Sequence, residues 1–125
     1  MVKTLASIFT SLALLIGISV YEIYYVEKEF SEFSYQLESL YEKTEEHTAS
    51  VEDAEAVRIS WNDKKKTLHI WIPHNDISYI DYWLSEALGY IYTESYDEAL
   101  SKIEVLQEIA KNIPSAYAFS LENIL

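Results

Sequence analysis

The apolar positions change character once along this chain. Thr4 to Tyr21 holds no charged residue, and about 18 residues is the lower end of what a helix needs to cross a bilayer. Ile23, Tyr24, Tyr25 and Val26 extend the run past a single Glu22. Beyond it the pattern turns periodic. Phe30, Phe33, Leu37, Leu40 and Thr44 recur at alternating steps of three and four, which predicts one helical stripe over 27–48. Glu29, Glu32, Glu38, Glu42, Glu45 and Glu46 fall mostly off that stripe. No Pro or Gly separates this segment from the end of the apolar run, so the two read as one long helix that leaves a membrane and enters a domain.

Ser50-Val51-Glu52-Asp53 has the form of a capping box, with Ser50 as N-cap. A helix from there puts Ala54, Val57, Trp61, Leu68 and Trp71 on one face. Residues 57–72 also carry a second pattern. Val57, Ile59 and Trp61 alternate, as do Leu68, Ile70 and Ile72, around Asn62-Asp63-Lys64-Lys65, so a β-hairpin is the competing reading. A lone hairpin is marginal in water and no third strand is on offer, which favours helix. Pro73 stops this element, and Asn75 or Asp76 is the expected cap of the next. Ile77, Ile80, Leu84, Ala87, Leu88 and Ile91 then form an apolar face over 76–92. Ser95-Tyr96-Asp97-Glu98 is a second capping box, followed by Ala99, Leu100, Ile103, Leu106, Ala110 and Ile113 at helical spacing. Pro114 is expected to end or kink that helix, leaving 115–125 as a short terminal one. Short loops make sequence neighbours antiparallel. The expected fold is all-α: an N-terminal transmembrane helix over 1–26, continuing into a small antiparallel four- or five-helix bundle over 27–125.

The flanks of the apolar run orient it. Lys3 precedes it and Glu22, Glu27 and Glu29 follow. The positive-inside rule places the N-terminus in the cytoplasm and the C-terminal domain outside the cell membrane. A cleaved signal peptide and a buried helix of a soluble protein are the alternatives. Gly17-Ile18-Ser19 offers the small residues a cleavage site needs, but inside the apolar run and without an Ala-x-Ala pattern. The small residues Ala6, Thr10, Ala13 and Gly17 share one helix face, a candidate interface with another membrane helix.

Composition removes several classes of function. A net charge of -12 repels a phosphate backbone, so no nucleic-acid partner is expected. With Cys 0 there are no disulfides, thiolate metal sites or cysteine nucleophiles. Gly 2 and Pro 2 disfavour turn-rich β folds and glycine-built phosphate loops.

Two resemblances stand out. Trp61 with Lys64-Lys65-Lys66-Thr67-Leu68-His69, then Ile72-Pro73-His74-Asn75-Asp76-Ile77, Asp81-x-Trp83-Leu84-Ser85-Glu86-Ala87 and the run from Tyr96 to Lys102 resemble the DUF4363 family. The likeness covers nearly the whole chain, and its most specific part is Pro-His-Asn-Asp-Ile. It implies a short, Gram-positive protein with one N-terminal membrane helix, a helical remainder, no assigned activity and a membrane-protein partner. The second likeness is local. Trp83, Ala87, Tyr90, Tyr96 and Ala99 fall at tetratricopeptide spacing, but Glu86, Leu106 and Lys111 depart from it. One copy is too few for an array, so it implies a similar helical hairpin only.

The search for chemistry finds little. His47, His69 and His74 show no His-Glu-x-x-His pattern. His74, Asp76 and Asp81 lie near one helix start, where capping is the plainer role. Serines lack a Gly-x-Ser-x-Gly elbow, and Glu38, Glu42, Glu45 and Glu46 lack the spacing of a calcium loop. No catalytic, cofactor or metal site is expected. Lys64-Lys65-Lys66, beside Arg58 and Trp61, reads as a solvated turn or helix face balancing nearby acids, or as a contact for anionic headgroups or a partner. Tyr 11 and Trp 3 are high for this length. Tyr79, Trp83 and Tyr90 lie beside the main apolar face of their helix and either thicken the core or, with His74, form a partner surface. The reading is a non-enzymatic protein in the lipid bilayer whose domain binds or stabilises another integral membrane protein, or a second copy of itself. A ligand- or cation-sensing module is the alternative.

Overall fold

The computed structural model describes residues 1–124, with side-chain surroundings through Phe119. Four helices make up nearly all of it: α1 (Val2–Glu45), α2 (Val51–Leu68), α3 (His74–Tyr92) and α4 (Tyr96–Ile124). No strand occurs among the described residues. The hairpin reading of 57–72 is therefore overturned. The step-of-three-and-four set Ala54, Val57, Trp61, Lys64 and Leu68 is buried, while Ile59 and Ile70 of the alternating set are exposed.

α1 packs against α2 and α4, and α3 packs against the same two. Side-chain pairs fix direction and register. Along α1 and α2, Lys43 meets Asp53 at 2.9 Å, Gln36 meets Ser60 at 2.9 Å, Glu32 meets Lys64 at 2.7 Å, and Tyr25 meets Thr67. Rising numbers on α2 face falling numbers on α1, so the two run antiparallel. α4 runs antiparallel to α1 as well, with Tyr41 bonded to Glu104 and Tyr117 to Glu22. Between α2 and α3, Glu55 bonds Tyr92 and Trp61 bonds Asp81. α3 and α4 form the hairpin that the tetratricopeptide spacing implies.

The core draws on all four helices. Phe30, Phe33, Leu37, Leu40 and Thr44 are buried from α1, and so is the whole expected face of α3. Trp61 sits in the middle, its ring centroid 4.9 Å from that of Phe33 and 6.3 Å from that of Phe30. A buried indole N–H needs an acceptor, and Trp61 Nε1 donates to Asp81 at 2.7 Å. Buried Thr44 turns its hydroxyl back to the Leu40 carbonyl at 2.7 Å.

Helix ends explain how so few glycines suffice. Ser50 Oγ accepts from the Asp53 N–H, and the Asp53 carboxylate accepts from the Ser50 N–H, so the expected capping box forms. α1 and α3 both close with a six-to-one bond, Thr48 N–H to Lys43 and Ser95 N–H to Tyr90. The left-handed residue such a closure needs is His47 (φ 59) in one and Glu94 (φ 58) in the other. Neither is glycine, at a cost of roughly 1–2 kcal/mol each. The His47 ring stacks on Tyr96 at 4.9 Å, which offsets part of that cost.

Four expectations need correction. Pro73, not Asn75 or Asp76, precedes α3, and no side chain caps it. Its fixed φ and free carbonyl start the helix earlier, accepting from the Asp76 and Ile77 N–H groups. Trp71 lies in the turn after α2 rather than on its face. Leu100, expected in the core with Ile103, is only half-buried, as is Ile113. Pro114 lies inside α4, so there is no fifth helix. Proline removes one backbone bond, but Tyr117 beyond it packs on the core and bonds α1, which holds the helix together.

α1 is the odd element. Its 44 residues span about 66 Å, more than twice the length of α2 or α3. The bundle uses the half from Val26 onward, and Met1–Ile18 are exposed throughout.

The core predicts a graded response. In the full-length protein, Leu84→Ala should cost about 2–5 kcal/mol, and Leu100→Ala clearly less. Thermal melts followed by circular dichroism check this. Equal losses would mean that the burial pattern of α3 and α4 is wrong.

Candidate functional site

Three features stand apart from the core: the bare half of α1, a polar seam between α1 and α2, and an aromatic patch on α3. The first follows directly from sequence. One 18-residue window of α1 is long and apolar enough to cross a membrane, and none of it is buried. By length and composition, a signal sequence passes the same test. Ala6, Thr10, Ala13 and Gly17 all lie in this exposed part. The Thr10 hydroxyl is turned back to the Ala6 carbonyl at 2.8 Å. A Cβ added at Gly17 would meet nothing within 4 Å. The small-residue face is thus open.

The seam was not visible from sequence. Lys64 is buried among the α2 core positions, with its Nζ 2.7 Å from Glu32 and 3.0 Å from Glu29. Burial alone would lower the pKa of this ammonium, but the hydrogen bonds to Glu32 and Glu29 outweigh it and the net shift is upward. The hydrogen bond and charge of Lys64 hold the Glu32 carboxyl below its usual range. Asp53 is lowered too, first by Lys43 and then by the Ser50 backbone. Lys65 pairs with Asp81 at 3.2 Å and Lys66 with Asp63 at 3.5 Å. Lys65 and Lys66 thus fit the reading of a solvated face balancing nearby acids, and only Lys64 is buried within the fold. What sequence offered was a lysine at a core-face spacing; its partners lie 32 and 35 residues away.

On α3, Tyr79 and Trp83 line a surface hollow with Asn75, Ser78 and Tyr82. Tyr82, which the sequence reading missed, meets Trp83 edge-on at 5.4 Å. Its signal was the step of three from Tyr79. Lys102 Nζ stands 5.0 Å over the Trp83 ring, which is half-buried against the core. Of the other two residues of the expected surface, His74 lies at the edge of the hollow and Tyr90 lies apart from it. Tyr90 packs half-buried further along α3, and His74 is exposed with Nε2 3.4 Å from the Ser78 hydroxyl.

Among the described residues, no group of three or more His, Asp or Glu is placed to hold a metal ion. Asp81 is turned to Trp61 and Lys65, away from any grouping with His74. Glu38, Glu42, Glu45 and Glu46 are exposed along α1.

The family model described as "Domain of unknown function (DUF4363)" matches residues 18–124. No curated protein and no solved structure matches the chain.

The seam predicts an acid-sensitive stability. A carboxyl whose pKa is lowered on folding stabilises fully above its ordinary pKa, and that stability is lost as pH falls through the lowered value. The melting temperature should therefore drop as the pH goes below the ordinary carboxylate range. Lys64→Ala should lower melting at neutral pH and flatten the acid limb, because Glu32 loses its partner. Lys66→Ala, at an exposed pair, should do neither. Identical melts for the two variants would remove the seam from the account.

Proposed function

We propose, for a chain that belongs to the DUF4363 family, that it is a non-enzymatic, single-pass membrane protein. Its N-terminus lies in the cytoplasm, and its acidic helical domain stands outside the membrane and binds or stabilises another membrane protein. One observation carries this reading: an apolar, unburied half-helix is continuous with a bundle that is already closed. Burying apolar surface is worth about 25 cal/mol per Å², and among the described residues no other element covers this half of α1. A bilayer supplies the missing partner over the right length. Continuity supports an anchor rather than a leader, because the same helix supplies Phe30, Phe33 and Leu37 to the core.

Two features support a protein partner. The face of Ala6, Thr10, Ala13 and Gly17 permits close approach of a second helix in lipid, where tight packing replaces the hydrophobic drive. Tyr79, Tyr82 and Trp83 present aromatic surface on α3 beside Lys102, and large exposed rings of this kind recur at interfaces.

Topology is tested with an enzyme reporter fused after Leu125 and an intact-mass measurement on the membrane fraction. The account expects reporter activity outside the membrane and an uncleaved mass. A mature chain starting near Val20, or a cytoplasmic C-terminus, would sink it. Association is tested by crosslinking in membranes. Ala13→Leu with Gly17→Leu should lower the yield while the domain stays folded, and an unchanged yield would reduce α1 to a plain tether.

A further inference from the structure

The end of the bundle from which the apolar half of α1 emerges is unlike the other end. Three contacts locate it. Tyr25 bonds Thr67 in the last turn of α2, and Tyr117 of α4 donates to Glu22 at 3.0 Å. Trp71, Ile72 and Pro73 of the α2–α3 turn, with Asp76 at the start of α3, border a hollow shared with Ile113, Ala116 and Tyr117. The α2–α3 turn and the last turns of α4 therefore gather around α1 at the level of residues 22–25.

Length sets where that level falls in a bilayer. Thr4 to Tyr21 rises about 27 Å, against a hydrocarbon core of about 30 Å. If α1 spans, its exit lies within a turn of Tyr21, Tyr24 and Tyr25. α4 runs toward the membrane alongside it, and Phe119 lies two residues beyond Tyr117, further along that direction.

The chemistry of this end matches the place. Ile70 at the α2–α3 turn is 63% exposed and Phe119 is 65% exposed. Tyr21 and Tyr24 of α1 are exposed too, with Tyr21 stacked on Tyr25. Rings of this kind favour the headgroup level, where an apolar body and a polar tip are both satisfied. In a chain with 21 acidic residues, 69–75 and 109–119 contain none. The acids at this end are Glu22 of α1, Asp76, which follows the first stretch and lines the hollow, and Glu122 after the second. Acids crowd the opposite one, where Glu42, Glu45 and Glu46 close α1 and Glu94, Asp97 and Glu98 flank the α3–α4 turn. A carboxylate pressed toward anionic headgroups would be repelled and would lose hydration. Fewer acids stand at this end than at the opposite one, so that repulsion is smaller here.

We propose that this end of the bundle is a second membrane-binding surface, a collar in which the α2–α3 turn and the C-terminal turns of α4 rest in the lipid interface around α1. The occupant is the bilayer of the membrane that α1 crosses, and the inference rests on the spanning reading of α1. With three elements held at the surface, the domain stands at a fixed height and tilt instead of swinging on a single helix. The patch on Tyr79, Tyr82 and Trp83 then faces sideways, toward a neighbour in the same membrane.

The absence of native cysteine makes the test direct. Single cysteines at Leu12, Ile59, Ile70 and Phe119 of the full-length chain carry an environment-sensitive fluorophore. Each protein is reconstituted into phosphatidylcholine–phosphatidylglycerol vesicles, with part of the lipid spin-labelled near the headgroup or deep in the acyl chain. All four sites are exposed, and circular dichroism checks that each labelled protein keeps its helices. The collar predicts that Ile70 and Phe119 probes are quenched by the headgroup label, at least twofold more than Ile59, which is equally apolar and exposed on the side of α2. Leu12 should respond to the deep label. Quenching at Leu12 without quenching at both Ile70 and Phe119 overturns the collar and leaves the anchor standing. No quenching at Leu12 overturns the spanning reading and the collar with it.

Discussion

An apolar solvent offers backbone N–H and C=O groups no partner, so a single segment can enter a bilayer only as an unbroken helix. α1 meets that condition from Val2 to Glu45 without a proline and with one glycine, Gly17. The same continuity serves the other half, where one stripe from Val26 to Thr44 forms a wall of the core. Helical spacing lets one backbone do both: side chains all round are apolar in the first half and confined to a stripe in the second. α2 and α4 take their positions from that stripe, and α3 packs on those two. Their own apolar faces would otherwise be left open.

Register is then set by polar pairs rather than by apolar contact alone. Lys64 between Glu29 and Glu32 fixes α2 on α1, and Trp61 to Asp81 fixes α3 on α2. Shifting α2 by one turn would bury an unpaired ammonium, a cost that apolar packing would not repay. At the far end, the α1–α2 and α3–α4 turns close on His47 and Glu94 in left-handed conformations. Low glycine content is thus tolerated at the price of local strain.

Most of the fold was legible because helical periodicity is local. The α1 stripe, the whole α3 face and the Ser50 capping box each follow from residues within a few turns of one another. The failures share a different cause. Trp71 and Leu100 sit at good spacings, but the end of α2 and the height of α4 depend on partners that spacing does not specify. Pro114 reads as a break until Tyr117 is seen bonded to Glu22 across the bundle. Lys64 reads as solvated because its two acids lie more than thirty residues earlier. On the aromatic patch, Tyr79 and Trp83 were visible as a stripe. Tyr82 was hidden one step to the side, and Tyr90 shared the pattern without sharing the place, while His74 reaches only the edge through Ser78.

The central claim is that α1 is one rigid rod from its apolar half into the bundle. Spin labels on cysteines at Ser11 and Glu38, both exposed, measure it in the reconstituted full-length protein by pulsed electron resonance. A continuous helix predicts a single narrow distance distribution near about 40 Å. A broad or markedly shorter distribution would place a hinge between the apolar half and the bundle, and would contradict the account.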